Sequence, residues 1–568
     1  PEPEQVRLTS LLGRIPGVKV ADLSGTGIST LQGLSSAAFE QVNIWSCQVR
    51  DLTPLSGLPL KKLDCGNNPL THLPPLACWP GMTCLSLLQS SVTNVDALTV
   101  ATKLVELRLT SHRIQSWEPM RHAGRLEILE IGGSIQDLGP LRNLRSLRGL
   151  TIFSPFAPSL DPLTSLTNLS VLRVEMNRTG TLDTIRGLTN LQTLSVQGMD
   201  LSNVEPVAGL AKLRDLTLNH CDGESIEPIG RLGSLENLTI YRSHVRSLLP
   251  LTSLSKLRTV VCQNSMVESL EPLADLTNLQ RCDMAYNRIS DLGPLEGLPA
   301  LNSLTIECNP VVSLAPLRSA NALTYLNFSG CPVRDMEPLR GLPHLSNIVL
   351  PNIPFDASVK SVLQSLPLDH IAVEPSADIE FLGSLSGLKS INRMRSDDFR
   401  RTVPAIVGAI QGEAVPLRGL AQRIGGFDYL MVPFRLPWDQ ACALSREQGG
   451  YLFCPSSRSK EAGVQRYLKS RFELEIAETW ELVSTWVGLE AAGNPSDDTY
   501  AWQSGESAEE IRWVFGVPPR RDPSASLGGS VWTPELGMVS WGRTATEQFS
   551  FVIEWPVVPT PVQSESAR

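Results

Sequence analysis

Carboxylates within reach of one another would permit acid–base chemistry, and Glu175, Asp283 and Glu307 all fall on one face of a repeating frame. They lie several strands apart at about 4.8 Å a strand. Arg173 and Arg281 stand two residues before the first two, so solvated ion pairs account for them more simply than a catalytic pair does. A nucleophilic cysteine needs a base within reach. All seven histidines lie at or before His370, which leaves Cys442 and Cys454 near the C-terminus without one. No GxxxxGK[ST], GxGxxG, HExxH or paired CxxC occurs. The expectation is therefore no enzyme, no cofactor and no metal site. What remains is the chemistry of recognition: Tyr241, Arg242, Arg281, Asp283, Tyr286, Glu307 and Tyr325, with Phe153, Arg173, Glu175 and Trp45 nearer the N-terminus. Tyrosine and arginine are the residue types that anchor protein interfaces.

The elements that must position these residues recur along the chain. From Leu279, apolar residues follow at Cys282, Met284, Ile289, Leu292, Leu295 and Leu298, with Asn287 between. The same frame reopens at Leu301 and Leu323, and running backwards it opens at Leu257, Leu235, Leu213 and on to Val18, in steps of 22 or 21 residues. Forwards it reaches Leu345 and, less regularly, Leu368, giving about seventeen turns. The alternation of the second and third apolar residues is the period of a short strand with one buried face. The face between them holds the candidate binding residues. A proline recurs two places after the Leu292 position, as at Pro54, Pro119, Pro206 and Pro294. Its fixed φ and missing donor call for tight turns, not long helices, on the opposite side.

The pattern LxxLxLxxN followed by a second apolar triplet resembles a leucine-rich repeat of the short, internalin-like class. That resemblance implies an α/β solenoid with parallel strands on a concave face and short turns on a convex one. Physical reasoning agrees, since no single 22-residue unit buries its own apolar side and stacking supplies the core. The repeats are expected over 18–388, with 1–17 the remnant of an N-terminal cap. Most of the eleven cysteines fall in slots that should be buried, and no cysteine pairs cap the ends, which favours a reducing, cytoplasmic location. A net charge of −9 argues against a nucleic-acid partner. No apolar run of roughly eighteen residues marks a membrane span. The chain begins at Pro1 without a secretory leader and reads as part of a longer protein.

Residues 389–424 break the period and read as a C-terminal cap and connector. Composition then shifts, with eight of the eleven tryptophans between Trp438 and Trp555. The order WDQACALSREQGGYL, TWVGLE, YAWQSGE and FSFVIEW over 425–556 resembles a C-type lectin-like domain of α+β class, followed by a disordered tail at 557–568. Ser445 and Ile553 stand where that family's long-range disulfide would form. Gly516-Val517-Pro518-Pro519 and Trp541-Gly542-Arg543 stand where sugar-binding members hold Ca²⁺, and neither stretch supplies the oxygen ligands a hard cation needs. The long loop offers Trp513, Arg520, Arg521, Trp532, Trp541 and Arg543 as further candidate binding residues. The resemblances together imply a protein ligand, with a glycan disfavoured. They also suggest the ligand-sensing half of an intracellular bacterial receptor of the NACHT type, carrying an effector domain upstream, against the alternative of an extracellular glycan-binding adhesin.

Overall fold

The computed structural model describes residues 17–453 apart from 36, 74–75, 115, 155–158, 176–181, 199–202, 220–224, 374–377, 386, 393, 411–412, 425–426 and 437. Beyond 453 it describes residues 464, 485–487, 489–492, 499–502, 530–533, 538–540 and 549–556. The N-terminal cap reading and the tail therefore lie outside the described residues. The chain divides into two compact units, Pro1–Leu301 and Asn302–Arg568.

In the first unit each turn of the frame contributes one strand, from Val20–Asp22 to Arg281–Asp283, and neighbouring strands pair in parallel. The apolar frame is what closes it. Leu279, Cys282, Met284, Ile289, Leu292 and Leu295 are all buried, as are their counterparts in the preceding turns. Strands at either end are three residues long, whereas those from Glu106–Thr110 to Thr259–Gln263 run to five, so the middle presents a broader face.

The opposite side is built of single 3₁₀ turns such as Glu205–Gly209 and Gly293–Leu295, with the recurring proline at their first or second residue. A residue there has no intrahelical acceptor for its N–H, so proline costs nothing and its φ is already helical. Two residues before most turns, a short polar side chain accepts from the first backbone N–H: Asp291 Oδ1 from Gly293 at 2.8 Å, Asn203 Oδ1 from Glu205 at 2.9 Å. These side-chain turns end the apolar arm and aim the chain back toward the next strand.

One polar slot inside the frame is filled by asparagine in some of the turns. Asn287 Nδ2 donates to the carbonyls of Cys262, Met284 and Ala285 at 2.6, 3.0 and 3.2 Å, and its Oδ1 accepts from Val267 N at 3.0 Å. Asn68 makes the same set around Ile44, Cys65, Gly66 and Val49. The bonds tie each turn to the one before and satisfy buried backbone groups that no strand partner reaches. Cys47 fills the slot once, its thiol 3.1 Å from Leu23 O.

The second unit opens with five more parallel strands, Ser303–Thr305, Tyr325–Asn327, Asn347–Val349, His370–Ala372 and Ser390–Ile391. With thirteen in the first unit the parallel strands number eighteen among the described residues, one more than the expected turns. The extra strand arises because Leu388 and Ile391 repeat the first two apolar positions of the frame and are buried. Met394–Arg395 then folds back antiparallel on Ser390–Ile391 and leads into the helix Ser396–Ile410.

A separate sheet follows. Gln422–Ile424 pairs with Phe427–Leu436, which lies antiparallel to the final strand Phe549–Pro556. That final strand also pairs with Tyr451–Leu452 and, in parallel, with Thr485–Val487. The helix Trp438–Glu447 lies between Phe427–Leu436 and Tyr451–Leu452 in sequence, with Ala441, Cys442 and Leu444 buried. Ser445 is fully buried and donates to Ala441 O at 2.8 Å, a hydroxyl bonded within its own helix. Asp428, nearly buried, is gripped by Arg418 at 3.1 Å and Arg423 at 3.0 Å, and these guanidiniums hold its carboxyl below the usual range.

Candidate recognition face

Strand residues between the apolar frame positions look outward, and in the first unit they form three rows across the parallel strands. The sequence candidates Tyr241, Arg242, Arg281, Asp283 and Tyr286 all belong to its last three strands and the turns after them. Glu307 and Tyr325 belong to the second unit. There Asn327 Nδ2 donates to the Glu307 carboxylate at 2.9 Å, and Tyr325 sits in register between Ser303 and Asn347.

Asp283 is the exception among the candidates. It is only 3 % exposed and its carboxylate is engaged within the chain: Gln263 Nε2 donates to it at 2.8 Å, Ala285 N at 3.3 Å, and Arg281 Nη2 stands 3.8 Å away. The sequence placed it on a binding surface because it alternates with Cys282 and Met284. It is buried because the long Gln263 amide from the adjacent strand reaches over to it, so Asp283 orders the sheet and offers nothing to a ligand.

Arg242 and Tyr286 share a feature that spacing alone did not reveal. Both follow their strands at the residue where the chain turns into the convex arm, and both hold a left-handed backbone, with φ of 49° and 57°. The same place is left-handed at Ser46, Asn67, Gln89, Gly133, Gly198 and Asn264. Glycine or asparagine suits this conformation and a large side chain costs roughly 1 kcal/mol there. An arginine and a tyrosine are thus kept where the fold prefers glycine, and Tyr286 remains 47 % exposed.

The middle strands carry the charged and apolar part of the face. Arg108 Nε bonds Glu106 at 2.8 Å and lies 3.9 Å from Glu130. Burial raises the Glu130 carboxyl, while Arg108 and Arg173 pull it down. Ile128 and Phe153 stand out of the same face as large exposed apolar groups. Ile128, Glu130 and Arg108 were not among the sequence candidates, although their alternation with Leu107, Leu109 and Leu129 in the frame would have found them.

Burial pushes the Glu175 carboxyl up to about 7, and no positive group among the described residues offsets it. Its native pKa lies above the unfolded value of 4.5, so the native state keeps a proton that the unfolded chain releases. The stability it contributes is complete below that unfolded value and is lost as pH rises through about 7. Relative to Glu175→Gln, the wild type should lose about 2 to 3 kcal/mol between pH 5 and pH 8. Urea titrations of the two proteins at both pH values check this, and parallel behaviour would contradict it.

Among the described residues no three His, Cys, Asp or Glu side chains are grouped to hold a metal ion, and no helix is long and apolar enough to cross a membrane. Of the loop candidates, Trp513, Arg520, Arg521, Trp541 and Arg543 lie outside the described residues, and Trp532 is described only as part of the strand Ser530–Thr533.

No family model matches the sequence, and no curated protein matches it either. Solved structures do. A leucine-rich repeat protein of Leptospira interrogans aligns over 65% of this chain and 97% of its own, at 19% identity and a TM-score of 0.55. The fold is a leucine-rich repeat solenoid. An internalin, InlF, of Listeria monocytogenes aligns over 61% of this chain and 93% of its own, at 23% identity and a TM-score of 0.43. The leucine-rich repeat ectodomain of an Arabidopsis thaliana receptor kinase, solved in complex with Casparian strip integrity factor 2, covers 67% of this chain at 18% identity and a TM-score of 0.40, over 56% of its own length. In the solenoid the outward strand positions and the turn residues just after them are the ones the apolar frame leaves open, and the candidates named above that remain exposed lie there.

Proposed function

We propose that the chain is a non-enzymatic recognition module that binds a protein ligand across the strand face of the solenoid. The observation that carries this reading is the occupancy of that face. The repeat frame requires nothing apolar there, yet Ile128, Phe153 and Tyr286 are large, exposed and interleaved with arginines and carboxylates. Such a mixture is typical of protein-binding patches. Affinity capture from lysate of the source cell, with the full chain as bait, tests it. The expected result is a protein partner retained in EDTA and lost from a Tyr241→Ala/Tyr286→Gly double variant. Capture of glycans abolished by EDTA would move the assignment to a glycan-binding adhesin.

The C-terminal sheet is read as a calcium-free C-type lectin-like domain that contributes a second surface. What supports the reading is its strand order: the long first strand Phe427–Leu436 runs antiparallel to the last, with a helix following the first and Thr485–Val487 beside the last. The module is further proposed to be the sensing half of a cytoplasmic bacterial immune receptor with an upstream effector domain. A reading frame that joins a P-loop or protease segment to Pro1 would support that assignment, and one that joins a secretory leader instead would sink it.

A further inference from the structure

Ile128–Gly132 and Gly149–Phe153 are adjacent strands whose register sets each large apolar side chain beside a glycine, Ile128 next to Gly149 and Phe153 next to Gly132. Glycine covers none of its neighbour, which leaves Ile128 42 % and Phe153 38 % exposed. At Gly132 the space is taken by Thr110, whose Cγ2 would stand 2.7 Å from an added Cβ. At Gly149 an added Cβ would meet only Ile128 Cγ1 at 3.9 Å, so a notch one side chain wide opens there.

Carboxylates line the same face toward its Phe153 end. Glu130 lies on the strand of Ile128, and Glu175 is the register partner of Phe153 on the next strand. Glu106 and Glu130 share the guanidiniums of Arg108 and Arg173 on this stretch of face. Arg108 makes its short contact with Glu106, and the Glu175 carboxylate has no hydrogen bond or ion pair among the described residues. A half-buried carboxylate without a counter-charge is costly, and an incoming cation recovers that cost.

We infer that this patch docks a segment of a partner protein in which a lysine or arginine adjoins an apolar residue. The apolar side chain fills the notch at Gly149, and the cation sits at Glu175 against the Phe153 ring, where the aromatic quadrupole adds to the attraction. Acidic segments, and anionic surfaces generally, are repelled. The inference rests on the protein-binding reading above and names the chemistry of its partner.

Binding then strengthens with pH as Glu175 ionises near neutrality. The strands packed on either side contribute no charge on this face: Gly149, Thr151 and Phe153 on one, Thr193, Ser195 and Gln197 on the other. Arg173 on its own strand and Glu130 and Arg108 beyond are the nearest charged groups. Burial lowers the pKa of His112, which follows the strand Glu106–Thr110. The Glu175 contribution is therefore the part of the pH dependence that Glu175→Gln abolishes.

A phage-displayed random dodecapeptide library panned on the full chain tests the inference, with enriched peptides titrated on wild type, Glu175→Gln, Phe153→Ser and Tyr286→Gly. The expected result is enrichment of peptides with a basic residue beside an apolar one, bound about tenfold more weakly by Glu175→Gln and Phe153→Ser. Their affinity for wild type should fall from pH 8 to pH 5.5, a readout that holds even if a variant folds poorly. Enrichment of acidic peptides, basic peptides indifferent to Glu175→Gln and to pH, or no enrichment overturns it. Peptides lost on Tyr286→Gly alone would overturn it while leaving protein binding through the solenoid intact, and the capture experiment judges that broader reading separately.

Discussion

Leu304→Ala should lower the stability of the protein by about 2 to 5 kcal/mol. Leu304 is fully buried at the centre of the strand Ser303–Thr305, in register with Leu326 of the following turn. Truncating it removes transfer free energy and leaves a cavity that flanking turns, each fixed by its own frame, cannot collapse to fill. The control is in the same repeat: Val312 is 62 % exposed, and Val312→Ala should stay within about 0.5 kcal/mol of wild type. Urea titration followed by far-UV circular dichroism reads both. A loss below half a kilocalorie for Leu304→Ala would mean that the repeat frame is misplaced. Repeat arrays can unfold in parts, so midpoints of the same spectroscopic transition are the quantities to compare.

Asn287→Ala should cost about 3 kcal/mol, although it removes only a small polar group. Three carbonyls and one N–H lose a bond in a buried place, although Ala285 O keeps the one from Asn264 N, and each group left unsatisfied costs about 1 to 3 kcal/mol before the others relax. The chain itself contains the milder substitution. Cys331 holds the equivalent slot, where its thiol lies 3.1 Å from Ile306 O and accepts from the Val311 backbone N–H. Asn287→Cys should therefore keep the link to the preceding turn and recover about half of the loss. Equal destabilisation by alanine and cysteine would show that the inter-turn bonds contribute little and that packing alone holds the ladder.

The contrast between these two positions and the recognition face shows which features were legible in the residues. Frame positions such as Leu279, Cys282 and Met284 announce their burial because every turn repeats them, and each turn packs chiefly against its immediate neighbours. Proline before the convex arm announces a 3₁₀ turn, because its effect is confined to one or two residues. Even Cys47 and Cys331 could be read as core, since they replace asparagine in a fixed slot. The eighteenth strand was missed because only Leu388 and Ile391 of its frame survive.

Face residues are different, because their environment is set by a side chain about 22 residues away that spacing does not specify. Asp283 reads as exposed and is buried, because Gln263 happens to be long enough to reach it. Phe153 and Ile128 are exposed because register puts a glycine beside each. Glu175 acquires its raised pKa from burial among uncharged neighbours, a matter of what stands on the strands to either side.

The sequence by itself therefore determined the period, the buried rows, the tight convex turns and the row of the sheet whose side chains look outward, since these follow from local spacing and nearest-neighbour stacking. Only the tertiary structure decided which of those residues meet solvent, which carboxylate lacks a counter-charge, and which turns hold a large side chain in a left-handed backbone. Each of those depends on lateral contacts between turns, and the energies of such contacts are fixed by the particular pair brought into register.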